Sequence, residues 1–167
     1  MEQIKVDPTV VAINAGTPGG FGFTPEWRKA AGKQYIDVGI AEEHAIAMNS
    51  GIAKNGGKPV FNVYSTFLQR AYDQLVQDLC VNNNSAVIIN HMASVYGMND
   101  VTHLGFFDIP MLTSIPNLVY LAPTNNEELL AMTEYAVHQH EYPVAFRVPV
   151  GEFTSTGVAD TTDYSVL

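Results

Sequence analysis

Glu42 stands in the run YIDVGIAEEHAIAMNSGIA, residues 35–53, where a β-like stretch turns directly into a helix. Residues 35–40 read as a buried strand. Ala41, Ala45, Met48 and Ile52 then recur at helical spacing, so Glu42 falls in the first helical turn at a strand's carboxyl end. In open α/β sheets that edge is where ligands bind. A half-buried carboxyl group there can share a proton with a ligand and hydrogen-bond to it. The plain alternative is an acid that complements the positive end of a helix. Position alone does not choose between the two.

Two further segments carry candidate chemistry. VYSTFLQRAYDQ, residues 63–74, again takes a strand's carboxyl end into a helix, and brings Tyr64, Phe67 and Arg70 toward Glu42. Aromatic rings there can sandwich a flat heterocycle, and the guanidinium can pair with an anionic group. A core Tyr and Phe with a solvated Arg fits the same spacing. GMNDVTHLGFFD, residues 97–108, is a turn-rich loop whose His103 is a proton-transfer candidate. The glycine loop GTPGGFGF, residues 16–23, has neither the dinucleotide pattern nor a Gly-Lys-Ser/Thr, and reads as a flexible loop. His138 and His140 lie near a polar helix end, and no H-E-x-x-H or paired Cys/His spacing occurs, so no metal is expected on this chain.

These residues need a framework, and the pattern supplies one. Strand-like runs at residues 10–15, 35–40, 58–65, 85–92, 118–123 and 143–149 alternate with helical segments at about 41–55, 65–83 and 125–140. Several strands are nearly continuous apolar runs, as strands covered on both faces must be. The expected fold is α/β: a three-layer, doubly wound, mainly parallel sheet of about six strands. In residues 65–83 the expected core stripe is Leu68, Tyr72, Leu75, Val76 and Leu79. Thr124 or Asn125 is the expected cap of the last helix, with Glu127 and Glu128 in its first turn. Residues 1–151 read as one domain, and the polar residues 152–167 as a linker toward a further C-terminal domain.

The length of 167 residues suits one domain with a substantial core. Seventeen acids against eight Lys and Arg give a net charge of −9, which argues against nucleic acid or an anionic membrane as partner. The single cysteine, Cys80, reads as a core thiol rather than a nucleophile. No apolar run approaches a membrane span, and the start MEQIKVDPTV lacks the regions of a signal peptide. A cytoplasmic protein is expected.

Taken in order and spacing, YIDVGIAEEHA, VYSTFLQRAYDQ, THLGFFD and IPNLVYLAPTNNEEL resemble the pyrimidine-binding domain of the transketolase family. The likeness is strongest to the 1-deoxy-D-xylulose-5-phosphate synthases, and it covers almost the whole chain. It implies a thiamine-diphosphate-binding fold and a transferase of two-carbon carbonyl units to an aldehyde or sugar phosphate. By it, Glu42 hydrogen-bonds the cofactor's aminopyrimidine and prepares it for catalysis. Phe67 stacks on that ring and Ile40 lines its pocket, next to Glu42. Tyr64, Arg70 and His103 face the substrate, His103 as a proton donor or oxyanion stabiliser.

The resemblance also shows departures. Met92, Asn99 and Val150 stand where the synthases typically carry Arg, Asp and Arg, so fewer charged groups are expected to hold a phosphorylated acceptor. No G-D-G followed by an Asn occurs to hold Mg2+ and the diphosphate. The expected partners are therefore a diphosphate-binding domain or subunit carrying the Mg2+, and a second copy in a homodimer. Keto acid or sugar phosphate substrates complete the expectation. The other readings are a non-catalytic interaction module that keeps the fold and, on weaker grounds, a nucleotide-binding domain.

Overall fold

A computed structural model describes residues 2–94 and 101–166. Six short strands, β1 (Val10–Asn14), β2 (Tyr35–Asp37), β3 (Lys58–Tyr64), β4 (Val87–His91), β5 (Val119–Leu121) and β6 (Val144–Arg147), pair in parallel in the order β2-β1-β3-β4-β6-β5. Parallel neighbours need crossovers, and helices supply them. They are α2 (Pro25–Ala31), α3 (Glu42–Lys54), α4 (Ser65–Leu68), α5 (Tyr72–Gln74), α6 (Asp108–Thr113) and α7 (Asn126–His138), while α1 (Glu2–Val6) precedes β1.

The strands alternate their apolar side chains between two cores. Ile13, Phe61, Ile88 and Ala145 face a core closed by Ala45 and Ile46 of α3, by Leu68, Leu75 and Leu79, and by Leu112 of α6. Ala12, Val87, Val144 and Phe146 face the second, closed by Ile4 of α1, Ala31 of α2, and Ala136 and Val137 of α7. The three-layer, doubly wound parallel sheet expected from the pattern is the observed fold. From β1 the sheet grows to β2 on one side and, after α3 crosses over, to β3 on the other. That reversal opens a crevice at the carboxyl ends of β1 and β3, the usual ligand position in such sheets.

Several expectations change in detail. Residues 65–80 change helical pitch along their length, from α4 through a 3-10 turn (Gln69–Ala71) and α5 to a π-helix (Leu75–Cys80). Ala71 is fully buried there, while Tyr72 is 40% exposed and leaves the expected stripe. Cys80 is buried in this helix, and burial pushes its thiol up to about 12, which suits a core thiol. β2 ends at Asp37 rather than residue 40. Burial pushes the Asp37 carboxyl up, but hydrogen bonds from the Gly16 and Gly39 amides and the Asn14 side chain outweigh it and hold it below the ordinary carboxylate range. Those bonds take the chain out of the strand and into the turn before α3.

The glycine loop is folded rather than flexible. It forms a 3-10 turn (Pro18–Phe21), and Phe21 lies against Tyr64 and His91 with ring centroids 4.8 and 4.5 Å apart. At α7 the cap is Asn125, whose Oδ1 accepts from the Glu128 amide at 2.9 Å. Residues 152–157 then run back along α7. Ser155 and the amides of Thr156 and Gly157 donate to the Glu127 carboxylate, and Ser155 leads in holding it down to about 2.

Candidate functional site

The turn Asp37–Ala41 delivers Glu42 as the first residue of α3, and packing of α3 on the sheet leaves it 1% exposed. A carboxyl group so buried needs a partner. Arg70 Nη1 stands 3.5 Å from Glu42 Oε2. Arg70 reaches it from the helical segment that follows β3, with its own side chain about half exposed. Its guanidinium lies 5.7 Å from the centre of the Phe67 ring, within cation–π range.

Phe67 links the remaining candidates. Its ring centroid is 5.8 Å from Tyr64 and 5.2 Å from His103, both edge-to-face. The loop bearing His103 is fastened to α4 by Thr66 Oγ1, which donates to the Thr102 carbonyl at 3.1 Å. Thr102 Oγ1 in turn lies 2.8 Å from His103 Nδ1. Glu42, Arg70, Phe67, Tyr64 and His103 thus form one continuous chain of contacts at the carboxyl edge of the sheet. A buried carboxyl, a half-buried ring face and a cation suit a flat, basic heterocycle with an anionic group nearby.

Ile40 stands apart. It is 80% exposed, with its side chain beside Gly16, whereas Glu42 is 1% exposed. Gly39, at φ 72°, turns the chain between β2 and α3 just before Ile40. Met92 and Val150 both line a cleft beside Tyr64 and His91. Asn99 lies outside the described residues, as does the start of its loop.

The sequence reading overlooks a buried network on the other side of His103. Asp108, fully buried at the start of α6, accepts from Arg147 Nε at 2.8 Å and from the Tyr120 hydroxyl. Asn90 Nδ2 lies 3.4 Å from that hydroxyl, and Arg147 Nη2 donates to the Gly105 carbonyl at 3.4 Å. His91 is a second omission. Its Nε2 lies 3.0 Å from Asn62 Oδ1, and burial pushes the imidazole down to about 4. One signal was available for both: Asn14, Asn62 and Asn90 are polar residues near the carboxyl ends of otherwise apolar strands.

Comparison with solved structures places this fold among the transketolases. The chain superposes on a split gene transketolase, solved as an inactive beta4 tetramer, with a TM-score of 0.74 at 20% identity, covering 95% of this chain and 52% of that one. On the transketolase from Leishmania mexicana the TM-score is 0.76 at 17% identity, covering 94% and 25%. Identities this low establish the fold alone. Sequence carries the assignment further: residues 2–155 match the transketolase pyrimidine-binding domain, and the chain belongs to that family.

Among its relatives is the 1-deoxy-D-xylulose-5-phosphate synthase of Clostridium acetobutylicum, 46% identical over 151 residues, which are 90% of this chain and 24% of that protein. The synthase of Desulforudis audaxviator is 40% identical over 167 residues, all of this chain and 26% of that protein. The chain spans about a quarter of the length of the curated relatives it matches. No helix among the described residues is long and apolar enough to cross a membrane.

Proposed function

We propose that this chain forms the aminopyrimidine half of a thiamine-diphosphate site in a transferase of two-carbon carbonyl units. The acceptor class is an aldehyde or sugar phosphate, and the donor a keto acid or a ketose phosphate. The observation that carries the proposal is Glu42, 1% exposed at the start of α3 on the carboxyl edge of the sheet, in contact with Arg70. When bound, the cofactor supplies a nucleophilic carbon and an electron sink.

The residues of this chain divide the remaining work. Glu42 shares a proton with a pyrimidine nitrogen and fixes the ring's tautomer, and burial keeps water from competing for that hydrogen bond. Phe67 offers its ring to one face of the pyrimidine. Ile40, on the surface beside Gly16, can line the pocket once a neighbouring domain covers it. Arg70 attracts an anionic substrate group, Tyr64 bounds the substrate side, and His103 passes a proton to or from a substrate oxygen.

The diphosphate end, with its Mg2+, belongs to another domain of the same polypeptide or to a second subunit, because these 167 residues carry no motif for it. Two copies are expected to assemble around the complete site. The cytoplasm is the expected location, in keeping with a single, buried, unpaired cysteine. In the complete enzyme, Glu42→Ala should lower cofactor-dependent donor consumption about 100-fold or more, the range for losing a positioned proton-transfer group. Donor consumption that survives this change would refute the proposal.

A further inference from the structure

Tyr64 has two neighbourhoods. One edge meets Phe67 in the chain of contacts that begins at Glu42, and the hydroxyl reaches over Gly20, where an added Cβ would lie 1.8 Å from it. On that second side lies a cleft of about 220 Å³, bounded by Gly20, Tyr64, His91, Met92, Val148 and Val150 among others. The volume suits a molecule of a few heavy atoms. Among the described residues, those that bound the cleft are Gly, Tyr, His, Met, Val or Pro, so none of these brings a permanent charge.

Neither Arg70 nor Arg147 is among the described residues that bound the cleft. Arg70 stands against Glu42, and Arg147, one residue before the cleft-lining Val148, gives its Nε to the buried Asp108. His91 is held by Asn62 on Nε2, and with burial pushing it down to about 4 its ring is neutral at pH 7. A phosphate dianion entering such a cleft would lose its hydration without gaining a charge-assisted hydrogen bond. An uncharged polyol or aldehyde gives up far less, and finds a hydroxyl and an imidazole to bond.

The backbone points to the same place. Met92 is one of the three non-glycine residues at positive φ among the described residues, at 56°. That conformation is strained for a residue with a side chain, and such outliers gather at functional sites. Its carbonyl is pinned by Gly105, where a Cβ would lie 1.6 Å from Met92 O. The fold therefore holds an unbranched apolar side chain in a strained position on the wall of the cleft.

We propose that this cleft selects the acceptor, that it takes a short uncharged aldehyde rather than its phosphorylated counterpart, and that Met92 and Val150 are the specificity-determining residues. The inference rests on the transferase function proposed above. It changes which aldehyde is bound, not the bonds that are made.

The test uses the complete enzyme, this chain together with its diphosphate-binding half. Cofactor-dependent consumption of pyruvate, and of a ketose in parallel, is followed first without acceptor. Values of kcat/KM are then compared for glyceraldehyde and glyceraldehyde 3-phosphate. The expected result is donor consumption with at least a tenfold preference for glyceraldehyde. Met92→Arg and, independently, Val150→Arg should each move that ratio at least tenfold toward the phosphorylated aldehyde. Donor consumption with a smaller preference, or with the phosphorylated aldehyde favoured, overturns this inference and leaves the transferase function standing. Absence of consumption with either donor overturns the transferase function, and this inference with it.

Discussion

His91 carries a pH dependence whose sign is set by burial. Its folded-state value is near 4 against an ordinary 6.5, so the unfolded chain binds a proton that the folded chain refuses. Stability is unaffected above 6.5 and falls as pH drops from there toward 4, by about 3 kcal/mol at most. In urea titrations between pH 7 and 4.5, His91→Gln should lose less stability than the parent chain; parallel losses would remove the histidine from the account. Asp108 behaves differently, because its partner is the guanidinium of Arg147 in a fully buried setting. Arg147→Met should cost about 3–5 kcal/mol in the same titration, since it leaves a buried charge without its ion-pair partner. A cost below 1 kcal/mol would mean that water reaches Asp108. At this scale the sequence is legible where residue type and helix start coincide, as at Glu42, Phe67 and Arg70. It is opaque where tertiary packing decides: nothing in VGIAEE announces that Ile40 turns outward, or that Asp108 and Arg147, 39 residues apart, meet.

Among the elements, strands of four or more residues follow directly from their apolar runs, and so do α3 and α7, the latter with its Asn125 cap. β2 and β5 are shorter than their runs; β2 ends where the Asp37 carboxylate accepts from the Gly16 and Gly39 amides. The segment T-P-E-W did announce α2: Thr24 accepts from the Trp27 amide at 3.2 Å, with Pro25 in the first turn. The neighbouring glycines masked that signal. Two of those loop glycines make opposite predictions. At Gly20 a Cβ meets only the far end of the Tyr64 side chain, so Gly20→Ala should displace that ring and alter near-UV dichroism with a stability change within about 1 kcal/mol. At Gly105 the obstacle is the backbone of Met92, so Gly105→Ala should cost several times more, about 3 kcal/mol. Equal costs for the two would show that the Gly105 loop can yield.

For the whole molecule, the layer order and the parallel sheet are legible in the alternation of strand and helix signals, whereas the sheet order is not. Pairing β6 between β4 and β5 depends on which crossover lies on which face, and that is set by contacts distant in sequence. Ile40, just before α3, and Phe106, Phe107 and Ile109, around the start of α6, are large apolar side chains left exposed. Such side chains fit a covering domain or subunit. The central claim is that Glu42 joins this chain to the pyrimidine end of a shared cofactor. Titration calorimetry of the complete enzyme with thiamine diphosphate and Mg2+ tests it most directly, with Glu42→Ala alongside the parent and fold checked by dichroism. Saturable heat for the parent, with affinity at least tenfold weaker in a folded Glu42→Ala, is the predicted result. No saturable heat for the parent, or equal affinity in both, would contradict it.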